Sequence, residues 1–146
     1  MKAIFAAGCF WGVESTFAQL TGVTETAVGY TGGHTEDPNY DEVCSGSTGH
    51  AEAVEVGFDP ELISYEQLAE VFFRAHDPTT LNRQGPDIGT QYRSAIFYFD
   101  EDQKAVAELV KDRLSRELEA SIVTEIKALE SFYAAEDYHQ DYFDIN

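Results

Sequence analysis

The stretch Ala3-Ile4-Phe5-Ala6-Ala7-Gly8-Cys9-Phe10-Trp11-Gly12 decides how the rest of the chain is read. Ala3 to Ala7 is an uncharged run of small and apolar residues. It has the length of a buried strand and is too short for a buried helix. Gly8-Cys9 then turns the chain. Phe10, Val13, Phe17 and Leu20 follow at helical spacing, and Gly22 supplies the stop. Working outward, Thr24 to Tyr30 reads as a strand. Ala51 to Phe58 is a second, with Val54, Val56 and Phe58 directed to the core. Ser64-Tyr65-Glu66-Gln67 is a capping box that opens a helix with the buried stripe Leu68, Val71, Phe72 and Ala75. Ser94 to Phe99 is another strand. Asp100 caps a helix whose expected stripe is Val106, Leu109, Val110, Leu114 and Leu118. Ile122 to Ile126 is expected as a strand, and the aromatic, acidic segment Phe132 to Phe143 as a short helix or packed tail. The glycine-rich stretch Gly29 to Gly49 is expected to be a functional loop, and Thr79 to Gln91 a second polar loop. Strands alternating with helices give a mixed α/β domain, its sheet covered by helices.

The chain has 146 residues, 43% of them apolar, which suits one folded domain spanning 1–146. No apolar run approaches the roughly 20 residues that span a bilayer. The opening residues offer no signal-peptide core, so a cytoplasmic location is expected. A net charge of −18 excludes nucleic acid and anionic membranes as natural partners. The acidic residues are scattered, as on the surface of a folded domain in salt-rich solvent. Cys9 and Cys44 are the only cysteines, too few for a disulfide framework, and show no metal-ligand spacing with His34, His50, His76 or His139.

Cys9 falls between a strand and the first turn of a helix. There, free amides and the positive end of the helix dipole favour the thiolate, the nucleophilic form of cysteine. The alternative is an ordinary core cysteine beside Phe10 and Trp11. A nucleophilic cysteine commonly works with a histidine, and His50 oriented by Glu52 is one candidate. Glu52 also begins a strand beside the glycine-rich loop. A carboxyl desolvated there keeps its proton and acts as an acid.

Several segments resemble one family. These are Gly8-Cys9-Phe10-Trp11-Gly12, Gly29-Tyr30-Thr31-Gly32-Gly33, Pro38-Asn39-Tyr40, Glu42-Val43-Cys44-Ser45-Gly46, Gly49-His50-Ala51-Glu52-Ala53-Val54 and Gly89-Thr90-Gln91-Tyr92-Arg93-Ser94. His76-Asp77-Pro78-Thr79 and Ala135-Glu136-Asp137-Tyr138-His139-Gln140 also fit. In their order along nearly the whole chain they are similar to the peptide methionine sulfoxide reductases of the A type. The resemblance implies an α/β (α+β) two-layer sandwich and thiol-dependent reduction of the S epimer of methionine sulfoxide, free or in proteins.

Matched by motif, the resemblance implies Cys9 as nucleophile and Glu52 as acid. Tyr40, Tyr92 and Asp87 complete the polar side, and Phe10 and Trp11 form the pocket for the S-methyl group. It further implies no bound cofactor, a sulfenic acid on Cys9, and electrons from thioredoxin, glutaredoxin or another thiol. The enzyme is expected to work as a monomer. Many members continue into a tail whose cysteines resolve the sulfenic acid, and this sequence reaches Asn146 without one. An external thiol is then expected to resolve it, with Cys44 as the other candidate. The preferred reading of Cys44 is a buried structural thiol. Two rivals are an acidic binding domain with a degenerate site and a hydrolase using Cys9 and His50.

Overall fold

The structure is a computed structural model and describes residues 1–140. Its elements are β1 (Lys2–Ala7), α1 (Phe10–Ala18), β2 (Val23–Thr31), α2 (Tyr40–Cys44), β3 (Ala51–Phe58) and α3 (Tyr65–Arg74). A small hairpin of β4 (Arg83–Gln84) and β5 (Asp87–Ile88) follows, then β6 (Ser94–Tyr98), α4 (Glu101–Leu118), β7 (Glu125–Ala128) and β8 (Phe132–Ala134). The main sheet has six strands in the order β7-β6-β1-β3-β2-β8. All neighbours are antiparallel except β6 and β7, which α4 joins as a parallel crossover.

β1 lies inside this sheet, which explains its continuous apolar run. Alternate residues face opposite sides. Phe5 faces the helices, stacking on Phe17 of α1 at 5.0 Å and on Phe72 of α3 at 5.2 Å. Val28, Val54, Val56, Ile96, Leu68, Val110 and Leu114 complete that layer. Ile4 and Ala6 face the other side with Ala51, Ala53, Ala95 and Phe97, covered by Leu129 and Phe132. Each fully buried Phe in such a layer contributes about 1.5–3 kcal/mol.

The expected architecture is present, with local corrections. The α4 stripe is shifted. Its buried positions are Gln103, Ala107, Val110 and Leu114, while Leu109 and Leu118 are 58% and 48% exposed. Leucines at helical spacing occur on both faces here, so spacing alone chose too wide a stripe. The strand expected over Ile122 to Ile126 is displaced to β7 because Ile122 to Thr124 leads into the sheet edge. The first polar loop contains α2, too short for any apolar periodicity but opened by a capping box between Asn39 and Glu42. The second contains the β4–β5 hairpin and a 3₁₀ turn at Thr90–Tyr92. The aromatic tail begins as β8, an edge strand, and continues through a 3₁₀ turn at Asp137–His139. Its last expected residues, 141–143, lie outside the described part. Among the described residues no helix is long and apolar enough to cross a membrane.

His76 is a structural joint. Nδ1 bonds the Phe72 carbonyl at 2.7 Å, and Nε2 bonds Ser94 Oγ, itself 2.7 Å from Thr124 Oγ1. Burial pushes its pKa down to about 4, so the ring stays neutral and ties the end of α3 to β6.

Candidate active site

Gly8 ends β1 at φ +99°, a left-handed turn that L side chains resist, and delivers Cys9 to the N-cap of α1. The Cys9 sulfur is half-buried there. Burial is the largest influence on its thiol and pushes the pKa up. The amides of Trp11 and Gly12 pull it down, while the charges of Glu52 and Asp87 push it up again. The net direction is upward. The helix terminus acts as the sequence suggested, but desolvation and two nearby carboxylates outweigh it.

Glu52 lies on β3 opposite Tyr30 of β2 and is 1% exposed. Its Oε1 accepts the Phe10 amide at 3.2 Å, so the residue after Cys9 is tied to this carboxyl. Oε2 is buried with no hydrogen-bond partner. Burial raises the Glu52 pKa from its ordinary 4.5 to about 7; the Phe10 amide lowers it and the Asp87 charge adds to the rise. The carboxyl is therefore half-protonated near neutrality, and Oε2 is free to carry the proton.

Tyr40 opens α2, and Tyr92 closes the 3₁₀ turn before β6. Both phenols are held well above their ordinary pKa of 10, mainly by burial, so both hydroxyls keep their protons. Cys44 lies close to both phenols, whose presence acts on its thiol. Tyr92 feels the charges of Glu52, Cys44, Asp87 and Cys9, which places all of these in one cluster. Asp87 comes from β5. Phe10, Trp11 and Tyr40 form an aromatic wall with ring centroids 6.3–6.4 Å apart.

The structure thus brings together Cys9, Glu52, Tyr40, Tyr92, Asp87, Phe10 and Trp11. Two expectations change. Cys44 is half-buried and faces the phenols, so it lines the cluster and is not a core thiol. His50 is engaged elsewhere. Its Nδ1 accepts the Gly33 amide at 3.0 Å and Nε2 meets the Thr35 carbonyl at 2.6 Å, so the ring pins the loop after β2. With both nitrogens engaged, it is not a base for Cys9, and the hydrolase rival loses its mechanism.

The segment Ala135 to Gln140 straps the aromatic wall, a role that sequence reasoning missed. Glu136 accepts the Tyr30 hydroxyl at 2.9 Å and the Tyr40 amide at 3.1 Å. His139 Nδ1 accepts the Trp11 indole N–H at 3.0 Å. Gln140 bonds both backbone groups of Val28, at 2.8 and 2.9 Å. The available signal was the motif itself, with buried-type polar residues among aromatics.

The sequence profile of the family described as peptide methionine sulfoxide reductase matches residues 1–146. The chain belongs to that family. It is an oxidoreductase that reduces methionine sulfoxide. A relative from Methanosarcina acetivorans, "Peptide methionine sulfoxide reductase MsrA", is 59% identical over 145 residues, covering 98% of this chain and 77% of its own. Reduced Mxr1 from Saccharomyces cerevisiae superposes on the reductase with a TM-score of 0.95 at 36% identity, covering all of this chain and 85% of its own. The same yeast protein in complex with Trx2 gives a TM-score of 0.69 at 26% identity, with 97% of this chain and 84% of that one covered.

Proposed function

We propose that the reductase acts on the S epimer of methionine sulfoxide, free or within proteins, with Cys9 as nucleophile and Glu52 as acid. The observation that carries this is the buried Glu52 carboxyl. It is tied through the Phe10 amide to the residue beside Cys9, has one oxygen unpaired, and holds its proton up to about pH 7. The Cys9 thiolate attacks the sulfoxide sulfur, and negative charge gathers on the oxygen. Glu52 and the Tyr40 and Tyr92 hydroxyls stand ready to meet it. Glu52 gives its proton to that oxygen, which passes to the Cys9 sulfur as the substrate S–O bond and the new bond between the two sulfurs break. Methionine leaves with its sulfur reduced by two electrons, and Cys9 remains as a sulfenic acid. Asp87 tunes the pair, since its charge raises both Glu52 and Cys9.

Phe10 and Trp11 receive the S-methyl group, and only one epimer then offers sulfur to Cys9 and oxygen to the donors. With dithiothreitol as reductant, the S epimer is expected to be consumed at least about 100-fold faster than the R epimer. Chiral chromatography of the remaining sulfoxide checks this, and comparable consumption of both epimers would remove the pocket assignment.

No bound cofactor is part of this scheme. A thiol attacks the Cys9 sulfenic acid, water leaves, and a mixed disulfide forms. A second thiol then releases Cys9 and carries away the disulfide. The yeast relative seen with Trx2 supports a thioredoxin in this role, with glutaredoxin or a small thiol as alternatives. We assign the enzyme to the cytoplasm as a single catalytic domain, 1–146, active as a monomer. Resolution by Cys44 is the competing scheme. We expect Cys44→Ser to keep turnover within about twofold with thioredoxin as sole reductant, since the external thiol attacks the Cys9 sulfenic acid directly. Loss of thioredoxin turnover with first-turnover methionine release intact would transfer the resolving role to Cys44.

A further inference from the structure

We propose that Gln91 is a positioning residue that sets the spacing of the Tyr40 and Tyr92 hydroxyls by clamping the end of α2 to the turn that carries Tyr92. It rests on the assignment of both phenols as donors to the sulfoxide oxygen.

The argument begins with α2, which has five residues. A helix of that length does not persist alone, and its last carbonyls lack partners inside it. It is held from outside. The Asn39 and Glu42 capping box closes its start, and Glu136 takes the Tyr40 amide. At its other end the Gln91 Nε2 donates to the Cys44 carbonyl at 3.2 Å. Of these ties, that from Gln91 alone originates in the segment bearing the second phenol, one residue before Tyr92. Cys44 is also the last residue of the helix that Tyr40 opens. The helix that carries the first phenol is thus held at its end by the neighbour of the second.

The local backbone is shaped around this amide. The Gln91 side chain is 6% exposed and folds back over Gly89, whose φ is +144°. A Cβ at Gly89 would stand 2.3 Å from Gln91 Oε1, so only glycine leaves the amide where it is. The amide's orientation is fixed too. A carbonyl only accepts, so the NH2 group must face Cys44. That leaves Oε1 buried without a partner, a cost that native structures rarely carry without use.

The test is a cycle of Gln91→Met, which keeps the volume and removes the donor, with the double variant Tyr40→Phe/Tyr92→Phe. Methionine release in the first turnover and KM are read for all four proteins. Gln91→Met is expected to slow release at least about tenfold with KM within about twofold, and to cost under about twofold when both phenols are absent. An unchanged rate, or the same loss in both backgrounds, would overturn the positioning role. If the double phenol variant alone ran at the parent rate, the donor assignment itself would fail, a distinct result. If Gln91→Met does not fold, Gln91→Glu is run through the same cycle with the same criteria.

Discussion

Cys9→Ser is expected to lower first-turnover release of methionine by about 10⁴-fold or more. Two physical differences act together. The serine hydroxyl stays protonated at any working pH and is a far weaker nucleophile toward sulfur than a thiolate. The second difference is decisive, because the oxygen must end on the attacking atom. On sulfur it forms a sulfenic acid, whereas on serine it would form an O–O bond, which the substrate has no energy to make. The half-buried position tolerates the smaller side chain, so folding is expected to persist. Chromatographic quantification of methionine, with the melting temperature as control, reads the result. Residual release above about a hundredth of the parent rate would mean that another group takes the oxygen.

Glu52→Gln is expected to reduce the same step about 10²–10⁴-fold, the usual worth of a positioned acid. Its pH profile is the sharper signature. The reactive pair is thiolate plus protonated carboxyl, which hold one proton between them. Below about 7 both groups keep their protons and thiolate is missing. Above the raised Cys9 value both have lost them and the acid is missing. The parent is therefore expected to give a bell whose two limbs belong to the coupled pair. In Glu52→Gln the rate should rise with pH and then level off, with no falling limb. A bell in the variant would move the acid role to another residue.

The same substitution should stabilise the protein in alkali. The folded pKa of Glu52 is raised from 4.5 to about 7. The native state therefore holds a proton that the unfolded state releases, and stability drains away as pH rises from 4.5 to 7. Above 7 the buried carboxylate costs about 3 kcal/mol. Urea midpoints should favour Glu52→Gln at pH 8 and converge with the parent near pH 5. Equal midpoints at both would show that the native carboxyl is solvated.

How much was legible follows from which interactions are local. Strand β1, the turn at Gly8 and the start of α1 show in the order of residues because their determinants lie within one turn of each other. The same holds for the capping box of α3 and the Asp100 cap of α4. The α4 stripe was misjudged because leucines stand on two faces, and burial is decided by what a helix packs against. β7 was misplaced because its pairing partner is β6, across a whole helix.

Motif resemblance named seven residues that the fold draws into one cluster; nothing in their spacing places Tyr40 near Tyr92. The sequence by itself determined the alternation of strands and helices, the family, and a cysteine at a helix start. Tertiary structure alone decided that Cys9 is pushed up and not down, and that Glu52 holds a proton near neutrality. It also decided that His50 serves a loop, that Gln91 bonds the end of α2, and that the strap from Ala135 to Gln140 ties down the aromatic wall. The physical reason is common to all of these. A pKa or a hydrogen bond depends on desolvation and on charges brought close through space, and those arrive only when distant segments meet.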